Sequence, residues 1–102
     1  LIVVFAQVWG TRPTADGGIT RVKHYYVDES VGIAVGLMLS ALHLAGLVTL
    51  THTPSPMKFL REVLERPANE RPFAVVPVGY PTADADVPDI ARRSLEDVRI
   101  HR

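Results

Sequence analysis

Thr51, His52 and Thr53 stand together at the end of the stretch GLVTLTHTP, residues 46–54, in a chain that is apolar on either side. Two readings fit. The segment is an ordinary strand running out to its turn at Pro54, or it is a strand whose end offers hydroxyls and backbone groups to a ligand. ARRS, residues 91–94, sets Arg92 beside Arg93. Such a pair is either solvated or a clamp for an anion or phosphate through charge-assisted hydrogen bonds. HYY, residues 24–26, could stack on an aromatic ligand or pack at a surface. His24, His43, His52 and His101 never fall at i, i+3 or i+4 spacing, so no metal site is expected. No Gly-x-Ser-x-Gly elbow or Walker loop occurs, and ADGG at 15–18 reads as a turn.

The elements that must position these residues come from a chain of 102 residues, enough for one small domain. Eleven basic and eleven acidic side chains cancel. That removes the bulk-charge argument for nucleic acid or an anionic membrane. Hydrophobic residues make up 47%, which points to a packed core. Cysteine is absent, which excludes disulfides, thiolate metal sites and a cysteine nucleophile within these residues and suits a reducing, cytoplasmic location. The opening LIVVFAQVW lacks Met, a basic region and a small-residue cleavage site, so it reads as a strand of a fragment rather than a secretion signal. Residues 31–50 carry no Asp, Glu, Lys or Arg over a span long enough for a bilayer. Basic anchors are missing, however, and Gly46 breaks the run where β-branched residues begin, so a buried helix followed by a buried strand is expected.

Residues 1–8 read as a strand and 10–23 as an exposed loop. Asp28, Glu29 or Ser30 caps a helix running to about Ala45, with Gly46 closing it in a left-handed conformation. Gly32, Gly36 and Ser40 form a stripe of small residues that would let another helix approach closely, within one domain or between subunits. Residues 47–53 form a second strand. Ser55 and Pro56 fit the start of a short helix with Phe59, Leu60, Val63 and Leu64 on its apolar face, stopped by Pro67. Residues 73–81 form a third strand, in which Pro77 removes one ladder donor. The remainder reads as an extended arm. The expected architecture is α+β: three strands, one long buried helix, one short helix and a C-terminal arm. So little chain cannot cover an all-apolar helix, so further protein or a second subunit is expected to do so.

The blocks HYYVDESVGIAVGLMLSALHLAGLVTLTHTP, VLERPANERPFAVVPVGYP and VPDIARRSLEDV, in that order, resemble the C-terminal half of the nitroreductase-like flavoproteins. Within that superfamily the chain is most similar to the iodotyrosine deiodinase family. The resemblance implies a nitroreductase-like fold of which residues 1–102 are the C-terminal part and the N-terminal half is absent. It implies a homodimer formed through the long helix and the arm, with FMN at the subunit interfaces. Thr51, His52 and Thr53 match the segment bordering the flavin, Thr53 matches the hydroxyl that approaches flavin N5, and Arg92 matches the Arg that contacts the phosphate. His52 departs from the pattern, where the family tends to have Thr. The implied activity is reductive dehalogenation of halotyrosines, with electrons from a reduced nicotinamide such as NADPH or from a reductase. The alternatives are a general nitroreductase with aromatic acceptors and a non-catalytic oligomerisation module.

Overall fold

The computed structural model describes residues 1–101. Its elements run β1 (Ile2–Gln7), β2 (Trp9–Pro13), β3 (Ile19–Lys23), α1 (Val27–Leu44), β4 (Val48–Thr49), α2 (Phe59–Val63), β5 (Glu70–Val76), β6 (Val78–Gly79) and α3 (Leu95–Val98). The fold is mixed helix and strand, as expected.

β5 is the central strand. It pairs antiparallel with β1, from Ile2 opposite Val76 to Gln7 opposite Glu70, with a register shift between Val4 and Phe5. Its other edge receives His52 opposite Val75. Pro77 interrupts the strand because it has no N–H to donate, and pairing resumes where β6 meets β4, Val48 opposite Gly79 and Thr49 opposite Val78. Flanked on both edges, β5 supplies most of the core: Pro72, Ala74, Val75 and Val76 are buried, together with Ala6 and Val35.

α1 ends as its sequence suggests. Gly46 adopts φ +80. Its N–H donates to His43 O at 2.9 Å, and that of Leu47 to Leu42 O at 3.0 Å. Those two bonds make a Schellman termination. The start differs from expectation. Tyr26 is the N-cap, in the left-handed region at φ 54 and without a side-chain cap. Asp28 and Glu29 lie inside the first turn, where they still suit the dipole. Asp28 is drawn away from capping by an ion pair with Arg71 of β5.

Within this chain α1 is covered on one face only, as expected for so short a chain. Val35 is buried and Val31, Met38, Leu39 and Leu42 are half-buried on the face toward the sheet. Ile33, Leu37 and Leu44 on the other side are exposed, Leu44 by 87%. The chain supplies only one layer for this helix, so the second apolar face has nothing of its own to meet. By length and composition alone, α1 is also long and apolar enough to cross a membrane. The radius of gyration, 18.8 Å, exceeds the roughly 13 Å of a compact domain of this size.

Residues 10–23 are not a loop but part of a hairpin, with Trp9 opposite Lys23 and Thr11 opposite Arg21. Its turn closes through Thr14 N–H to Gly18 O at 2.9 Å, with Gly17 at φ +82. The Arg21 guanidinium sits 4.1 Å over the Trp9 ring, joining the strands by a cation–π contact. The described residues therefore form six short strands where three were expected. Ser55 and Pro56 do not open α2. The helix begins at Phe59 with Lys58 as N-cap, because residues 54–57 turn the chain and the first i+3 bond, Leu60 N–H to Met57 O, forms only afterwards. Over residues 81–101 the arm is exposed and holds one helical turn, α3, capped by Ser94 Oγ accepting from Asp97 N–H at 3.3 Å.

Candidate functional site

The polar strand end is held by two backbone bonds in a pair. His52 N–H donates to Val75 O at 2.9 Å, and Val75 N–H donates to His52 O at 2.8 Å. Two residues earlier, Leu50 N–H donates to Pro77 O at 3.2 Å. Leu50 and His52 thus spend backbone groups on the β5–β6 side. In extended chain successive residues point their backbone groups to opposite edges. Thr51 and Thr53 therefore carry theirs on the outer edge, and neither makes a hydrogen bond among the described residues. Their side chains share one face, His52 lies on the other, and all three residues are exposed. Pro54 follows without an N–H, so the exposed edge stops at Thr53.

The backbone N–H and C=O of His52 both pair with Val75, so its N–H is spent there while the carbonyl keeps a second lone pair. What His52 does is fix the phase of the strand, and with it the direction in which Thr51 and Thr53 face. Val75 is the other half of that device. Residue type carried no sign of it, because Val in FAVVPV differs in nothing from its neighbours.

β5 is braced at its start. Arg66, two residues beyond the C-cap of α2, donates from Nε to Glu70 Oε2 at 2.7 Å and from Nη2 to Glu70 Oε1 at 2.9 Å. These bonds hold the Glu70 carboxyl below its ordinary range and raise the Arg66 guanidinium above its own. The same guanidinium lies 6.0 Å from the Phe5 ring of β1. The spacing of Arg66 and Glu70 in RPANE was visible in the sequence, yet a non-helical i, i+4 pair gives no pattern to search for. In the hairpin turn, the Thr14 hydroxyl and then the Gly18 N–H lower the Asp16 carboxyl.

Arg92 lies in the exposed arm, two residues before the Ser94 cap. Thr51, His52 and Thr53 lie on one segment, and among the described residues no hydrogen bond or ion pair ties Arg92 to them. The exposed hydroxyl edge fits one side of a planar ligand with polar edge atoms.

No protein-family profile matches the chain. The iodotyrosine deiodinase of Haliscomenobacter hydrossis is 57% identical over 100 residues, covering 98% of this chain and 43% of that protein. The iodotyrosine deiodinase of Nematostella vectensis is 45% identical, over 98% of this chain and 37% of its own length. Human iodotyrosine deiodinase 1 is 46% identical, over 98% and 34%. A crystal structure of oxidized iodotyrosine deiodinase bound to FMN and 3-iodo-L-tyrosine superposes with a TM-score of 0.63 at 32% identity, over 76% of this chain and 39% of that one. The chain spans less than half the length of these relatives. Along nearly all of its own length it is homologous to a part of the iodotyrosine deiodinases, and it shares their nitroreductase-like fold.

Proposed function

We propose that this chain forms the C-terminal part of an FMN-dependent oxidoreductase that reductively dehalogenates halotyrosines. The observation that carries this reading is the 57% identity to a bacterial iodotyrosine deiodinase over 98% of the chain. FMN, when bound, supplies the redox chemistry. The chain's own residues bind and orient it. Thr53 offers its hydroxyl, and Thr51 its outer-edge backbone groups, along the flavin's polar edge. His52 holds the strand in the phase that allows this. Arg92 neutralises the phosphate by charge-assisted hydrogen bonds.

Two features support a homodimer as the working form. The outer face of α1 is apolar and exposed, and a Cβ added at Gly32 or Gly36 would meet nothing within 4 Å. Among the described residues no hydrogen bond or ion pair joins Arg92 to the strand end bearing Thr53, which leaves room for a partner's arm to complete the site. A reduced nicotinamide or a reductase would supply electrons. The absence of cysteine among these residues suits the cytoplasm.

The experiment is to purify the full-length protein, identify its chromophore, and measure iodide release from 3-iodo-L-tyrosine under reducing, anaerobic conditions. A bound FMN and stoichiometric iodide are expected. A colourless protein that FMN does not restore overturns the flavin assignment. Reduction of nitroaromatics without any iodide release overturns the substrate assignment.

A further inference from the structure

Between α2 and the start of β5 lies a cavity of about 280 Å³. Three cations, Lys58, Arg61 and Arg71, line it together with the apolar groups of Val8, Ala68 and Pro72. One carboxylate, Glu70, also reaches it, and Glu70 is already held by Arg66 through two hydrogen bonds. Arg71 is engaged by Asp28. Lys58 and Arg61 have no ion pair among the described residues. The cavity therefore keeps two positive charges uncompensated against a partly apolar lining. A concave site lined by charge of one sign concentrates counter-ions. Arginine's planar fork suits an oxyanion held by two parallel bonds, and lysine adds a point charge.

The lining also limits the rest of the ligand. The volume lies just below the range of about 300–1,000 Å³ typical of small-molecule pockets. That is room for an oxyanion head and one ring or a short apolar chain. Thr51, His52, Thr53 and Arg92 do not line this cavity. We propose that it binds a small organic oxyanion, a carboxylate or phosphate ester on a compact apolar body, at a place separate from the flavin.

The test uses the full-length, FMN-loaded protein at low salt, titrated calorimetrically with benzoate, phenyl phosphate and inorganic phosphate. Saturable binding of benzoate or phenyl phosphate in the millimolar range or tighter is expected. Either should bind more tightly than inorganic phosphate, and comparing the two identifies the head group. Lys58→Ala with Arg61→Ala should weaken that binding about tenfold or more, while FMN content and the circular dichroism spectrum stay unchanged. Arg99→Ala, on the arm, should change nothing. The proposal is overturned by no saturable binding, by binding indifferent to the double substitution, or by inorganic phosphate binding as tightly as the ring-bearing probes. Loss of FMN from the folded double variant overturns it too, by making the cavity part of the flavin's own site.

Discussion

Replacing Glu65 by glycine should stabilise the protein, although Glu65 lies on the exposed surface and its side chain makes no hydrogen bond or ion pair among the described residues. Glu65 follows the C-cap of α2 and stands at φ 50. Its N–H donates to Glu62 O at 3.1 Å, and the next N–H, from Arg66, donates to Arg61 O at 2.8 Å. This is the same Schellman pattern that closes α1, but with a side chain where α1 has Gly46. The left-handed conformation costs an L-residue about 1–2 kcal/mol and glycine almost nothing. Glycine's extra freedom in the unfolded chain takes back about 0.5–1 kcal/mol. The expected net gain is about 0.5–1 kcal/mol. At a urea slope of about 2 kcal/mol per molar, that moves the unfolding midpoint up by about 0.3–0.5 M with the slope unchanged. Glu65→Ala is the control: it removes the same charge and keeps the left-handed penalty, so its midpoint should stay near the parent's. A glycine variant no more stable than the parent, or an alanine variant equally stabilised, refutes the reasoning.

Four further outcomes are expected. If the proposed homodimer forms through α1, Gly36→Leu should convert it to a monomer in sedimentation while retaining helix content, because the added side chain would overfill a close helix crossing at a cost of about 1–3 kcal/mol; a dimer unchanged in affinity places the interface elsewhere. Arg92→Ala in the full-length protein should weaken FMN by about 1.5–3 kcal/mol and riboflavin little; equal loss for both flavins assigns Arg92 to the fold. On the proposed function, Thr53→Ala in the full-length protein should keep FMN yet lower deiodination roughly 100–1,000-fold, the scale of one positioned donor, with nitro reduction persisting; unchanged deiodination leaves Thr53 a strand residue. Glu70→Gln should lower stability at neutral pH. Since Arg66 holds the Glu70 carboxyl below its ordinary 4.5, the stabilisation is present above the unfolded value and lost as pH falls through the folded one. The gap between parent and variant should therefore close under acid, and a pH-independent gap refutes the link.

What could be read from residues alone follows the range of the interactions. α1 and its stop at Gly46 were legible because a long apolar run and a glycine at the end are local signals. The apolar core of β5 was legible for the same reason. The hairpin was not, since Thr11, Arg12, Arg21 and Lys23 look like loop residues until Trp9 and Arg21 are seen to stack across the strands. The start of α2 misled because Ser-Pro fits both a helix entry and a turn. At the candidate site, Thr51 to Thr53 stand out by type, and the role proposed for them rests on resemblance. Their orientation depends on Val75, more than twenty residues away, which no local pattern can reveal.

That dependence ties the strand end to elements well outside it. The cap of α2 places Arg66, Arg66 grips Glu70, Glu70 starts β5, and Val75 of β5 fixes His52. A one-residue slip anywhere along β5 would exchange the two edges of the segment, because strand alternation has a period of two. Thr51 and Thr53 would then turn their backbone groups inward, and His52 would take the outer edge. The departure from Thr at position 52 is tolerable for the same reason. Its side chain lies on the opposite face from the two threonines, and its backbone bonds do not depend on residue type. A bulkier imidazole can therefore stand between two hydroxyls without blocking the edge they define.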